Sequence, residues 1–500
     1  MSKKLLSGLL VCTGIVLSTI NISGAPSAGL TIANGPVMNV NRMGHYTVNL
    51  PDGRVVLFGG HGTSFVSLKT TDIYYPSTNA CSLLTMNFFH DAPALTKMFG
   101  NKYFIAGGAA DLGVAPGYAS AEIFQPLDNA FVPLSAHMKY GRMTCGAATL
   151  GGDSSILIVG GWYDNNSATY GEVFIPGPDT FALTGALNTP RSWPMVVPTN
   201  DGKAVVFGGY GVFGGNINQQ AELYNPSDKS FGVLSNSLFG ADSGWVSGTL
   251  LSYDRTLDQQ RLTDGKYLFF AGKDSAYQLF TFDPVSKAFA KVGDALVDTT
   301  LSFTAPIVDT VHHRAYVIGE QWGTGANASD RIKICCFIFN TTTWVWQIPT
   351  DRDTLADSYF LSGIGVSILP GGKILISGGN SQTGYQTNFS PITSTLIATP
   401  DTQMATGIKT AQLAVTGNNG PYAIRSVRNG LRLSSAIREN LRVKLHSVSG
   451  KTIAVLFSGI VEPAISYDFS LTGRKLGSGV YYCTLESAKN TRTFKLILTK

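Results

Sequence analysis

RVVLFGG (54–60), KYFIAGG (102–108), SILIVGG (155–161), KAVVFGG (203–209) and KILISGG (373–379) repeat one pattern, an apolar strand closed by two glycines. KYLFFAG (266–272) and RAYVIG (314–319) keep the strand and lose one glycine. The closing glycines are spaced by 48, 53, 48, 63, 47 and 60 residues. A second landmark comes later in most units: TDIYYP, AEIFQP, GEVFIP, AELYNP and LFTFDP end at Pro76, Pro126, Pro176, Pro226 and Pro284. Another aromatic comes about five residues later, at Phe131, Phe181, Phe231 and Phe289. Turn pairs such as Asp52-Gly53, Asp201-Gly202 and Gly371-Gly372 precede the glycine strand. No helix-period segment intervenes, so each unit reads as four short strands joined by hairpins. Four strands in each repeat of roughly 50 residues describe the blades of a β-propeller.

The glycine pair has a physical reason. Near a crowded axis the chain must turn sharply after its second strand, and glycine takes the needed angles freely. On these residues the chain resembles kelch-repeat β-propellers, over residues 29–403. The seventh unit stops near Ala398 with no fourth strand of its own, and the segment 30–38 is the candidate to supply it. The expected fold is all-β: a seven-bladed kelch-like propeller closed by an N-terminal strand, with six blades the alternative. The GxGxxG at 209–214 imitates a dinucleotide fingerprint. The residues after it, INQQAELYNP (217–226), match the third strand of the repeat. They are not the helix that a pyrophosphate needs.

Composition agrees with an all-β chain. Only 14% of residues are charged, while 56 are Gly and 47 are Phe or Tyr, which disfavours long solvated helices. Charge divides the chain: residues 25–420 hold 22 basic and 28 acidic residues, and residues 421–500 hold 13 and 4. The basic pI belongs to the tail, which argues against nucleic acid as a partner. Lys3 and Lys4 precede an apolar run and then Ser23, Gly24 and Ala25, the plan of a signal peptide over 1–24. No later stretch is apolar enough to span a bilayer, so the mature chain is expected outside the cytoplasm without a transmembrane segment. Cys81, Cys145, Cys335, Cys336 and Cys483 would remain, an odd and sparse set that is no disulfide framework.

After a linker at 404–428, residues 429–500 alternate as short strands and are expected to form a small Ig-like β-sandwich. Three features, VKL leading to Ser449-Gly450-Lys451, LGSGVYYCTL (476–485) and the terminal KLILTK, resemble the C-terminal sorting domain of type IX secretion substrates. That resemblance implies the outer-membrane secretion machinery as a partner, and secretion or attachment to the bacterial cell surface.

In propellers the loops after the second strand share one face with the inter-blade connections. The candidate ligand-binding residues on that face are His61, Trp162 and Tyr210 after the glycine strands. Arg42, Asp91, Arg142, Arg191 and Trp245 join them from the connections. Arginines at equivalent positions suit a planar anion, and aromatics beside them suit sugar rings. The competing role for these arginines is to tie neighbouring blades together. Glu122, Glu172 and Glu222 recur at one repeat position, which points to blade structure. A copper radical site of the kind known on a kelch-like propeller needs two His, two Tyr and a Cys. The face offers only His45, His61 and His90, so no cofactor, metal or catalytic set is assigned. The expected function is a secreted binding module for glycan or another surface polymer. The alternative is an extracellular carbohydrate-active enzyme, a sugar-acid isomerase, lyase or oxidase, on the same face.

Overall fold

The computed structural model describes residues 28–109, 117–151, 154–163, 166–209, 211, 220–234, 246–247, 257–273, 276–297, 301–321, 333–349, 351, 353–354, 359–381, 391–402, 422–427, 430–447, 451–463, 465–470, 479–488 and 491–498. The expected signal peptide, Tyr210 and Trp245 lie outside them. The described residues are all-β apart from three short 3-10 turns. None of their helices is long and apolar enough to cross a membrane.

The glycine strands lie inside antiparallel sheets, most of four strands, an arrangement consistent with a β-propeller. Sheet 1 runs Tyr46–Asn49, Val55–Phe58, Thr70–Tyr75 and Ala80–Thr85. Sheet 2 runs Ala94–Lys97, Tyr103–Ala106, Ala121–Gln125 and Ala130–Pro133. Sheet 3 runs Gly146–Thr149, Ile156–Val159, Tyr170–Ile175 and Thr180–Ala186. Sheet 4 runs Met195–Pro198, Ala204–Phe207, Glu222–Asn225 and Ser230–Val233. Sheet 5 runs Val246–Ser247, Tyr267–Lys273, Ala276–Asp283 and Ala288–Val297. Sheet 6 is built on Arg314–Gln321 and Lys333–Asn340, and its outer positions are filled by shorter pieces. Sheet 7 runs Tyr359–Ile368, Ile374–Ser381 and Thr395–Pro400. Its fourth strand is Leu30–Asn34, from the start of the chain, in register from Leu30 opposite Pro400 to Asn34 opposite Leu396.

Packing obeys the two-residue period of a strand. Val55, Val56, Leu57 and Phe58 are all buried because both faces of the sheet are covered. Val56 and Phe58 enter a core shared with Ile105 and Phe124 of sheet 2. Val55 and Leu57 enter one shared with Leu375 of sheet 7. The vicinal Cys335 and Cys336 divide the same way, one toward Phe270 of sheet 5 and the other toward Ile374 of sheet 7. Further cores join sheets 2 and 3, 3 and 4, and 4 and 5. The five described cysteines form no disulfide. Burial pushes the Cys145 thiol up to about 11 and those of Cys81 and Cys483 to about 12, which leaves them poor nucleophiles.

Both residues of the glycine pair are left-handed in sheet 1, with φ of 55° at Gly59 and 76° at Gly60. A Cβ on Gly60 would clash with the carbonyl oxygen of Met43, so the pair is also a close approach between segments. Connections and post-glycine loops meet at this end of the sheets, where Met43 bridges His61 and Met143 bridges Trp162. At the opposite end, the 3-10 turn Leu257–Gln260 leaves sheet 5 and crosses toward sheets 1 and 7. Gln259 Nε2 pins it, donating to the Thr47 carbonyl at 3.1 Å and to Ser367 Oγ at 3.3 Å.

The tail holds two sheets around a separate core. Tyr422–Val427, Gly430–Ser435 and Ser466–Ser470 form one. Thr452–Val461, Glu439–Ser447, Gly479–Glu486 and Thr491–Leu498 form the other. Leu431, Leu433, Val443, Leu445, Phe469 and Leu485 pack between them. The strand Tyr422–Val427 falls inside the stretch expected as linker, so the tail's sheet begins earlier than residue 429.

Candidate functional site

The arginines expected at the channel face are inside the protein. Arg42, Arg142 and Arg191 are each 0% exposed. Arg142 Nη1 donates to the carbonyl oxygens of Gly160 at 3.2 Å and Tyr170 at 2.8 Å, and Nη2 donates to Glu172 at 2.9 Å. Arg42 makes the same set with Gly59, Thr70 and Asp72, and Arg191 bonds Gly208 and Glu222. The backbone of the same residue holds the preceding sheet. Gly108 N–H donates to the Arg142 carbonyl, and Gly161 N–H donates to that of Arg191. Each guanidinium therefore clasps its own sheet while its carbonyl clasps the one before. The expectation that these three bind a ligand anion is corrected on that ground. An incoming carboxylate would have to displace an internal one from a fully buried ion pair.

Sheet 2 uses histidine in the arginine's place. His90 Nδ1 lies 2.7 Å from the Gly107 carbonyl oxygen, and Nε2 lies 3.0 Å from Glu122 Oε1. The ring thus spans the same carbonyl and carboxylate positions that a guanidinium spans in sheets 1, 3 and 4. Burial pushes the Glu122 pKa up, but the His90 bond and charge and the Asn87 donors outweigh it, and the net shift is downward. A carboxylate with a depressed folded pKa adds stability above its unfolded pKa and loses it as pH falls through the folded value. Melting temperature should therefore fall between pH 7 and pH 3. In Glu122→Gln the neutral-pH value should drop and part of the acid-dependent fall should vanish. A full acid response in that variant would remove Glu122 from the account.

His61 and Asp91 are brought together as partners of each other. His61 Nδ1 sits 3.0 Å from Asp91 Oδ2, with side chains 3% and 2% exposed. The Phe65 ring packs 5.2 Å from the His61 ring, and His61 Nε2 is buried without a hydrogen bond. Ser64 and Phe65, in the loop above, are both left-handed at φ 60°, a strained conformation for residues with side chains. Trp162 is half-buried at the face, its backbone bonded to Met143. His45 Nε2 is 2.9 Å from Ser377 Oγ. Among the described residues no three His, Cys, Asp or Glu side chains group to hold a metal ion.

Two features of the face escaped the sequence. Phe89 and Tyr118 stack at 6.4 Å with 20° between their planes, from the sheet 1–2 connection and the post-glycine loop of sheet 2. Phe89 is 38% exposed, Tyr118 is half-buried, and Lys69 Nζ lies 5.4 Å from the Phe89 ring centre. The second feature is a belt of left-handed residues two positions after each clasp: Gly44, Ala92, Thr144 and Trp193, with φ from 52° to 63°. Thr144 N–H donates to the Ala92 carbonyl and Trp193 N–H to the Thr144 carbonyl, both at 2.7 Å. These bonds hold a conformation that costs about 1–3 kcal/mol at a residue other than glycine.

No family model matches the chain, and no curated protein matches it. Among solved structures it is similar to a fungal alcohol oxidase of the AA5 family, determined in complex with copper. Identity is 15% and the TM-score 0.48, over 94% of this chain and 99% of that one. The face described above is therefore read from this chain's own residues.

Proposed function

We propose that the chain is an exported, kelch-like propeller of seven blades whose channel face binds a glycan or another surface polymer. The C-terminal strands would serve as an Ig-like sorting domain that delivers it to the surface or the medium. Seven blades are supported by the cores, since each sheet shares one with the next and sheet 7 shares one with sheet 1. The binding function rests on the Phe89–Tyr118 pair. A pyranose presents one face of C–H groups, and a half-exposed aromatic platform is the surface that takes it out of water. Lys69 Nζ, over the Phe89 ring, can donate to the hydroxyl rim.

Binding to a panel of immobilised polysaccharides tests this. Phe89→Ala with Tyr118→Ala should lower affinity for whichever polymer the parent retains by about tenfold or more, the scale of aromatic anchors at interfaces. Equal retention by parent and variant would overturn the assignment. One observation favours the enzyme reading. His61 Nε2 has no partner while Nδ1 is oriented by Asp91, as in a general base. Turnover of a bound polymer that disappears in His61→Gln would establish it.

A further inference from the structure

Three residues before each clasp, a backbone N–H donates to the clasp carboxylate: that of Asn39, Asn87, Lys139 or Asn188. The three asparagines also close on that carboxylate through Nδ2, at 2.7, 2.8 and 2.9 Å. Lys139 breaks the repeat, since it has no carboxamide to give. Its side chain is exposed, and Nζ lies 5.5 Å from the centre of the Tyr140 ring. Lys69 stands in the same relation to Phe89, at 5.4 Å. Neither ammonium has a carboxylate partner among the described residues. Asp72, Glu122 and Glu172 are held by the clasps and Asp91 by His61. Asp111 and Asp164, in the post-glycine loops, lie outside the described residues. Tyr118 connects the two lysine-bearing stretches. Its ring stacks on Phe89, and its carbonyl accepts from Arg142 N–H at 3.1 Å, two residues beyond Tyr140. A Cβ on Gly141 would clash with the Gly117 carbonyl, so this loop is seated directly on the connection to sheet 3.

Resting on the glycan reading above, we propose that the polymer is an anionic polysaccharide. It lies along the rim from Phe89 to Tyr140, with its negative groups toward Lys69 and Lys139. Charge complementarity is the first argument. The clasp guanidiniums are neutralised inside the protein, so an anion would have to break an ion pair to reach them. The two lysines are cations without an internal carboxylate, and an anion can join them at no such cost. A neutral polymer would leave both charges unused, and a cationic one would be repelled. The second argument is the departure from the repeat. Asparagine at the Lys139 position would close on Glu172 as its counterparts close on theirs, so the lysine forgoes a structural bond. A local rule broken in one unit of a repeat points to function. The third is arrangement. Lysine and aromatic ring recur as a pair on successive connections, which suits a chain that repeats ring and charge along its length. Each ammonium adds little alone, and two on one polymer act together.

The test measures binding of the full chain to two matched pairs of immobilised polymers. Polygalacturonate and its methyl ester share a backbone and differ in charge, as do dextran sulfate and dextran. The charged member of at least one pair should bind about fivefold or more tighter than its neutral partner. Which pair shows the preference tells carboxylate from sulfate. The preference should shrink at about 1 M salt, where exposed charges are screened. Lys69→Gln and Lys139→Gln should each weaken the charged polymer about two- to fivefold, and together by about the product. Neither should affect the neutral partner. Lys102→Gln, exposed at the other end of the sheet 2 glycine strand, is the control and should change nothing. Equal binding of charged and neutral members, or an affinity unmoved in the double lysine variant, would overturn the proposal. So would an equal loss in Lys102→Gln, which would mean attraction to charge anywhere on the surface. The aromatic variant separates this failure from the broader one. Equal retention of both members that is lost in Phe89→Ala/Tyr118→Ala would sink the charge assignment and leave the glycan reading standing. Retention of no polymer, or retention unchanged in the aromatic variant, would sink both.

Discussion

Glu172→Ala should cost the protein about 3–5 kcal/mol, the usual penalty for stranding one half of a buried ion pair. The variant leaves the Arg142 guanidinium 0% exposed and without its carboxylate. It also removes the acceptor of two backbone amides, Lys139 N–H at 2.7 Å and Tyr140 N–H at 3.2 Å. Glu172→Gln keeps an acceptor for those amides and should fall between the two. The clasp joins sheet 2 to sheet 3 through one residue, so the loss should appear as a lower melting temperature of the whole ring and not as local fraying. Denaturant unfolding of the three proteins measures this. A cost below about 1 kcal/mol would place the pair among surface bridges and contradict its burial.

Removing residues 28–35 should be more damaging than any single substitution. It takes away the Leu30–Asn34 ladder and leaves Thr395–Pro400 as an open edge. It also takes Leu30 from the core between sheets 6 and 7 and the Ala28 carbonyl that accepts from Cys336 N–H. The expected loss exceeds the roughly 3–5 kcal/mol of a large core truncation, with a tendency to pair at the exposed edge. Calorimetric melting of the truncated chain would show a transition far below the parent's. A chain that melts like the parent would mean that sheet 7 does not depend on its first strand.

The strands and their glycine pairs were legible because the constraint is local: a left-handed turn at Gly59-Gly60 can be met by few residues, and it recurs in the sequence. The closing strand was legible by subtraction, since KILISGG had a second and third partner and no fourth. The arginines were misassigned for a physical reason. Whether a guanidinium points to an axis or into its own sheet depends on a carboxylate about 30 residues away. Arg42, His90, Arg142 and Arg191 stand 30 to 32 residues before Asp72, Glu122, Glu172 and Glu222. That coupled spacing was the available signal, and His90 masked it by changing residue type. The platform had no such signal, since Phe89 and Tyr118 come from different connections.

The claim at the centre of this account is that internal clasps hold the ring while exposed aromatics of the channel face bind. Polymer affinity per folded molecule, measured for Phe89→Ala/Tyr118→Ala beside Glu172→Ala, tests it most directly. The account predicts that the aromatic variant loses about tenfold or more in affinity at an unchanged melting temperature. It predicts that the clasp variant melts early yet binds normally while folded. Normal binding by the aromatic variant, with affinity lost in folded Glu172→Ala, would contradict it and return the site to the arginines.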